Sequence, residues 1–220
     1  VKGNLLAFVS AFGTNPQTGV HLYNASTLSE YSFYQQDFCD PEDLVFGKNT
    51  NLLHIAGGTE SLASFGFNAN GLFYSLDVTN PALPVEVFRD TLPGIIGLAI
   101  SQPMNLENVN DTIFVATQAA LDANFQGGDT LSGQVYIYDC TNPSSVSFIN
   151  SVNGGLWHFD IAVNSNRLYV ASEWYGIQTD DITDIMNEVY LGRKLTGGWN
   201  LGSDKFGNRL VVGNEGYGVK

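Results

Sequence analysis

Basic residues are scarce in this chain. Lysine and arginine number nine against 22 aspartates and glutamates, a formal net charge of −13. A field of that sign repels nucleic acid and anionic membrane surfaces, which removes both from the expected partners. Charged residues of either sign make up only 14% of the chain and hydrophobic ones 44%, so the composition is that of a chain that buries a core. No apolar run is long enough to span a bilayer as a helix, and no signal-peptide pattern is present. Helical periodicity is nearly absent. No His pair or Cys–His cluster has zinc-ligand spacing, and neither a Gly-x-Ser-x-Gly elbow nor a phosphate-cradling glycine loop occurs. The chain opens without methionine on "VKGNLLAFVS", already strand-like. That start reads as a mature or excised segment, and a fragment of a larger repeat protein is the expectation.

What the chain has is repetition. A polar turn followed by alternating apolar residues appears as "GNLLAFVS" (3–10), "TNLLHIAG" (50–57), "NDTIFVAT" (110–117), "SNRLYVAS" (165–172) and "GNRLVVGN" (207–214). With Leu6, Leu53, Ile113, Leu168 and Leu210 equivalent, the spacings are 47, 60, 55 and 42 residues. A second, glycine-led pattern follows each: "GVHLYNAST" (19–27), "GLFYSLDVTNP" (71–81), "GQVYIYDCTNP" (133–143), "GIQTDDITD" (176–184) and "GVK" (218–220). A period of this length with several short strands per unit predicts an all-β protein, a β-propeller built from four-stranded antiparallel blades. The alternative is a β-sandwich with coincidental internal similarity. Five units are expected, at about 1–42, 43–92, 93–155, 156–197 and 198–220, within one propeller domain or part of one. The clearest unit divides into strands at 158–163, 167–172, 176–181 and 188–193, with the first innermost.

"FDIAVNSNRLYVASEWYGIQTDDITDIMNEVYLG" and "GLFYSLDVTNPALPVEVF" resemble the LVIVD repeat, whose units carry a Gly-led strand ending in Asp-x-Ser/Thr-Asn-Pro. The likeness extends over nearly the whole chain and is least complete in 1–50, where "LYNASTLSE" replaces the Asp-Asn-Pro turn. It implies a β-propeller in a secreted or cell-surface protein, and it brings no catalytic residues with it. Asp77, Asp139 and Asp181 recur at one position of the unit, which predicts side chains that cap the following Thr-Asn-Pro backbone.

Up-and-down connectivity puts the loop entering each first strand and the loop joining the second strand to the third on one face. The long segments 11–18, 58–70 and 118–132 fall there, and loops on a rigid scaffold are where binding concentrates. The segments entering the first strands are read as "DPED" (40–43), "GIIG" (94–97), "LWHF" (156–159) and "GWNL" (198–201), which makes Trp157 equivalent to Trp199 and His158 to Asn200. With Trp174 and Glu215, these form a candidate binding set for a sugar or a cation. Alternatively the tryptophans plug an apolar channel. Were the protein an enzyme, His158 with Asp43 and Glu173 would carry a hydrolase or lyase reaction on a sugar or lactone. Asp122, Asn124, Gln126 and Asp129 place oxygen donors at alternate positions near Gly127, a candidate calcium loop without the usual final Glu.

The two cysteines, Cys39 and Cys140, map to opposite ends of a blade, about 20 Å apart, beyond the reach of a disulfide. Asn24 and Asn110 begin glycosylation sequons. Together these features favour a non-enzymatic extracellular or cell-surface propeller. Its partner is a protein or glycan on the long-loop face, or further copies of itself in a larger surface structure.

Overall fold

The computed structural model describes residues 1–10, 18–35, 40–58, 71–92, 103–117, 133–155, 158–172, 176–198, 200–207, 209–214 and 218–219. Their regular structure is all β, in five antiparallel sheets that follow the chain in order. The first holds β1 (Leu5–Ser10), β2 (Gly19–Asn24) and β3 (Glu30–Gln35). The second holds β4 (Asp40–Phe46), β5 (Leu52–Gly58), β6 (Gly71–Asp77) and β7 (Val85–Leu92). The third holds β8 (Pro103–Val109), β9 (Thr112–Thr117), β10 (Gly133–Asp139) and β11 (Ser147–Gly155). The fourth holds β12 (His158–Asn164), β13 (Arg167–Ser172), β14 (Gly176–Asp181) and β15 (Val189–Lys194). The fifth holds β16 (Asn200–Phe206), β17 (Arg209–Asn214) and the short β18 (Gly218–Val219). Each sheet pairs its strands in sequence order.

Two details differ from the sequence reading. The boundary expected between 42 and 43 cuts through β4, and "DPED" lies inside that strand instead of before it. The first strand of the third sheet begins at Pro103, so "GIIG" (94–97) does not directly precede it and falls outside the described residues. Period-2 alternation misplaces both because it cannot tell the last residues of an entering loop from the first of a strand.

The Gly-led turn unit has a common hydrogen-bond plan. The Asp77 carboxylate accepts the Thr79 amide (2.8 Å), Asp139 the Thr141 amide (2.9 Å) and Asp181 the Thr183 amide (2.9 Å). The Thr141 and Thr183 hydroxyls donate to the same oxygens, each at 2.6 Å. These bonds hold the Asp139 carboxyl below its ordinary range and, with Arg167 adding, bring Asp181 down to about 2. In the first sheet Asn24 does this work, accepting from the Ser26 and Thr27 amides. The residue after the cap then donates its amide to the turn ahead of the second strand. Ala25 reaches Asn4 O, Val78 reaches Asn51 O, Cys140 reaches Asp111 O and Ile182 reaches Asn166 O, all within 2.8–2.9 Å. Cys140 thus occupies an apolar repeat position, which explains a buried free thiol pushed up to about 12, chiefly by burial. Asp139→Ala is expected to lose about 1 kcal/mol of stability in urea unfolding while Asp139→Asn, which keeps the acceptor, loses a few tenths. Equal losses would mean that the cap contributes nothing.

Alternation within each strand gives two apolar faces per sheet, and successive sheets stack on them. Ala7, Val20 and Leu22 of the first sheet pack on Leu53, Ile55 and Tyr74 of the second. Ala56 and Phe73 of the second meet Ile113, Val115 and Tyr138 of the third, with the Phe73 and Tyr138 rings 4.5 Å apart. Phe114, Val135 and Ile137 meet Ile161, Leu168 and Val170, and Ala171 and Ile177 meet Val212. Burying one such side chain stabilises by about 1.5–3 kcal/mol, so no sheet is stable without its neighbours.

The first strands of successive sheets pack on one another: β4 on β8, β8 on β12 and β12 on β16. Turns at one end are stapled across sheets. Lys2 Nζ donates to Gly47 O (2.7 Å) and to Thr50 O. The buried Asp111 carboxylate accepts the Asn49 amide (2.9 Å) and Asn49 Nδ2 (2.8 Å). Lys205 Nζ of β16 donates to Val163 O of β12 (2.6 Å) and also to the Glu107 carboxylate of β8. The fifth sheet therefore reaches the third through Lys205.

Candidate functional site

All four described first strands carry a bulge at the same place, between residues 41 and 43, 103 and 105, 158 and 160, and 200 and 202. The register makes Pro41, Pro103, His158 and Asn200 equivalent, and likewise Asp43, Asn105, Asp160 and Gly202. A bulge re-aims one side chain, and here it turns a carboxylate toward the next inner strand. Asp43 Oδ2 accepts the Leu106 amide of β8 and Oδ1 the Leu44 amide, both at 2.8 Å. Asp160 repeats this two sheets later: Oδ2 accepts the Ser203 amide of β16 and Oδ1 the Ile161 amide (3.0 Å). The Asn105 Oδ1 atom is buried with no hydrogen-bond partner.

Burial pushes both carboxyls up. Asp160 reaches about 6, raised by burial, opposed by the Ser203 and Ile161 hydrogen bonds and raised again by the charge of Asp43. Asp43 is raised by burial against the Leu106 and Leu44 amides, with Glu107 adding. A carboxyl raised by burial and by the charge of a second carboxyl resembles an acid/base arrangement. The oxygens of both are already committed to backbone amides, which latches the first strands of neighbouring sheets together.

His158 opens β12, its placement described for the backbone alone. Trp157, Glu173, Trp174, Trp199 and Glu215 lie outside the described residues, as do Cys39 and the candidate calcium donors Asp122, Asn124, Gln126 and Asp129. Among the described residues no group of three or more His, Cys, Asp and Glu is placed to hold a metal ion. Asn200 is fully buried. Its Nδ2 donates to Ser172 O (3.0 Å), and its Oδ1 accepts from Thr196 Oγ1 (2.8 Å) and Asn214 Nδ2 (3.1 Å). That makes it a joint between β16, β17 and β13. No protein-family model matches this chain, and no curated protein does.

The two sequons differ in setting. Asn24 Nδ2, the atom a glycan would take, donates to Tyr31 Oη (2.8 Å) while Oδ1 caps the turn. Asn110 is exposed at a turn with φ 55°, and its Oδ1 accepts from Lys48 Nζ (2.7 Å).

A second polar place carries no sequence motif. A cleft of 370 Å³ between the third and fourth sheets is lined by residues including Asn153, Gln178, Asp180, Glu188, Tyr190 and Arg193. Gln178 Nε2 donates to Asn153 O (2.8 Å) and to Asp180 Oδ2 (3.0 Å), and its Oε1 accepts from Arg193 (2.9 Å). Asp180 is 1% exposed and its carboxyl is raised, burial leading. The strand register puts Gln178 and Asp180 where the second sheet has Tyr74 and Leu76 and the third has Tyr136 and Tyr138. Aligning these strands on the capping residues Asp77, Asp139 and Asp181 exposes this exchange of core for polar residues, a signal carried by the repeat pattern itself. The position of Asp160 is legible the same way, as "FDIAV" repeats the Asp-then-apolar step of "EDLVF", but its contact with the next sheet is not.

Proposed function

We propose that this chain is a β-propeller, or a segment of one, that serves as a non-enzymatic binding and assembly scaffold in an extracellular or cell-surface setting. The observation that carries the propeller is the recurrence of one four-stranded antiparallel plan, with inner strands β4, β8, β12 and β16 packed in succession. The Lys205–Glu107 bridge supports it further, since inner strands two sheets apart approach only when the array curves about an axis. The resemblance to LVIVD repeats and the exposed Asn110 sequon support the secreted setting. The scaffold reading rests on carboxylates and amides that are spent on structure: Asp43 and Asp160 on backbone amides, Asn200 on its neighbours. The proposed partner is a protein or glycan held by the loops 11–18, 58–70 and 118–132.

One observation favours a second reading. Asp160, raised to about 6 chiefly by burial with the charge of Asp43 adding, matches a general acid for hydrolase or lyase chemistry on a sugar or lactone. Glycan-array binding and turnover of chromogenic glycosides and lactones would be measured on the native chain and on a form with residues 118–132 replaced by a short Gly-Ser turn. The scaffold reading expects binding without turnover, lost with the loop. Turnover abolished by Asp160→Asn, with the fold retained, would replace it with the enzyme.

A further inference from the structure

The third strands show one exchange that packing alone does not explain. Tyr74 and Leu76 in the second sheet, and Tyr136 and Tyr138 in the third, pack on the preceding sheet. Tyr74, Leu76 and Tyr138 are 0% exposed. In the fourth sheet the same two positions hold Gln178 and Asp180, which are also buried, at 4% and 1%. Where large apolar side chains fill the other two interfaces, a space of 370 Å³ remains here, with β11 on one side and β14 and β15 on the other. A carboxylate in a core position costs stability unless donors surround it.

Around Asp180 the donors are few. A carboxylate has room for about four hydrogen bonds. Among the described residues Asp180 takes them from a single nitrogen, Gln178 Nε2, at 3.0 and 3.2 Å. Glu188 lines the same space, and among the described residues its one hydrogen bond is a long one from Asn150 Nδ2 (3.4 Å). Strand register sets Arg193 opposite Gln178 and Tyr190 opposite Asp180, so these four side chains share one face. Arg193 is held by Gln178 Oε1 (2.9 Å), and Tyr190 is 59% exposed at the rim. The cleft therefore offers carboxylate acceptors with capacity to spare, a guanidinium donor and an aromatic ring. A cation would meet Arg193 there, and an anion would meet two carboxylates. A sugar hydroxyl both donates and accepts, and the C–H face of a sugar ring stacks on an aromatic one, so a neutral sugar suits all three.

We propose that this cleft binds one neutral sugar unit, with Asp180 and Glu188 accepting from its hydroxyls, Arg193 donating to them and Tyr190 stacking on its ring. Asp180 forms the floor of the site and Tyr190 its lip. A space of this volume is at the small end of ligand sites, which fits a monosaccharide or the last unit of a longer glycan. The site lies on β11, β14 and β15 and uses none of the loops 11–18, 58–70 and 118–132, so it is independent of the loop-face reading.

The test is NMR on the native chain, titrated in turn with glucose, galactose, mannose and N-acetylglucosamine, and with methylguanidinium and acetate as charged probes. At least one sugar is expected to shift the Gln178 side-chain amide, the Arg193 Nε–H and the Tyr190 ring, and the charged probes to leave them in place. Asp180→Leu supplies the residue that the second sheet has at this position, and it should hold or raise the urea midpoint while abolishing binding. Tyr190→Ala, at an exposed position, should keep the fold and weaken the same sugar about tenfold. Should Asp180→Leu fail to fold, Asp180→Asn, which keeps the shape and weakens the acceptor, takes its place. Three results would each overturn the proposal: no shift at these groups with any of the sugars, a sugar whose affinity neither variant changes, or a charged probe that binds in place of the sugars. Binding that is lost with residues 118–132 and unmoved by Tyr190→Ala would put the sugar on the loop face and overturn it too. Sugar binding that survives replacement of that loop and falls with Tyr190→Ala would uphold the cleft and leave the loop-face reading to its own test.

Discussion

Replacing Gly176 with alanine is expected to destabilise the protein by about 3 kcal/mol, enough to unfold a marginal domain at moderate temperature. Two penalties coincide there. Gly176 has φ +81°, and a Cβ built on it would sit 2.0 Å from Lys194 O and 2.8 Å from Leu195 Cα. The first is left-handed strain worth roughly 1–2 kcal/mol for a residue with a side chain. The second is a collision with backbone, which cannot rotate away, so β14 and β15 must part. Gly19, at the same place in the first sheet, has a similar collision, its Cβ falling 2.3 Å from Tyr34 O. The glycine that leads the third strand is thus fixed by the carbonyl of the fourth strand crossing over it. Gly207 is the control. It has φ +61° and no atom within 4 Å of an added Cβ, so Gly207→Ala should cost only the strain, about 1 kcal/mol. Urea unfolding of the three alanine variants should rank Gly176 as the most costly and Gly207 as the least. A Gly176 variant no worse than the Gly207 variant would remove the crowding argument.

Between pH 6 and 4 two large effects of opposite sign act on the native chain, and single substitutions should unmask each. His54 is 0% exposed, with Nδ1 2.8 Å from Ser75 Oγ and Nε2 without a partner. Burial brings it down from 6.5 to about 4, with Asp111 raising it and Lys2 lowering it. As pH falls below 6.5 the unfolded chain takes a proton that the fold refuses, and the fold loses up to about 3 kcal/mol by pH 4. Asp160 has the opposite sign. Its folded value near 6 exceeds the ordinary 3.8, so the fold carries an unwelcome charge above pH 6. As pH falls from 6 toward 4 the fold takes a proton that the unfolded chain does not yet hold, and about 3 kcal/mol is regained. Between pH 6 and 4 Asp160→Asn should therefore lose about 3 kcal/mol relative to the native chain, whereas His54→Gln should gain a similar amount relative to it. The other carboxyls are common to both variants and cancel in the comparison. Urea midpoints at pH 7, 5.5 and 4 give the answer, and parallel pH profiles for the two variants would refute it.

The strand plan is readable because alternation and turn chemistry are local. β13 and β14 occupy the residues that alternation assigns, 167–172 and 176–181. The recurrent Asp77, Asp139 and Asp181 announce their turns because an Asx cap needs only its own next two residues. The bulges are not legible. A bulge is a mismatch between two strands, and it leaves the alternation of either strand almost intact. Alternation places the first strand of the third sheet too early for a related reason, since "GIIGLAI" alternates as well as the residues that pair with β9. Of the candidate site, the tryptophans and the calcium loop fall outside the described residues, and Asn200 is a joint between strands.

Sequence by itself determined that this chain is a series of antiparallel strands with Gly-led, Asx-capped turns repeated along its length. Those features depend on sterics and hydrogen bonds within a few residues. Tertiary structure alone decided which apolar face meets which neighbour, that Asp43 and Asp160 latch the next inner strand, and that His54 sits neutral in the core. It also decided that a cleft opens beside Gln178 and Asp180. An alternating pattern shows that a face avoids water but does not say what covers it, because covering depends on sheets that lie some 50 residues apart in the chain and meet only when stacked.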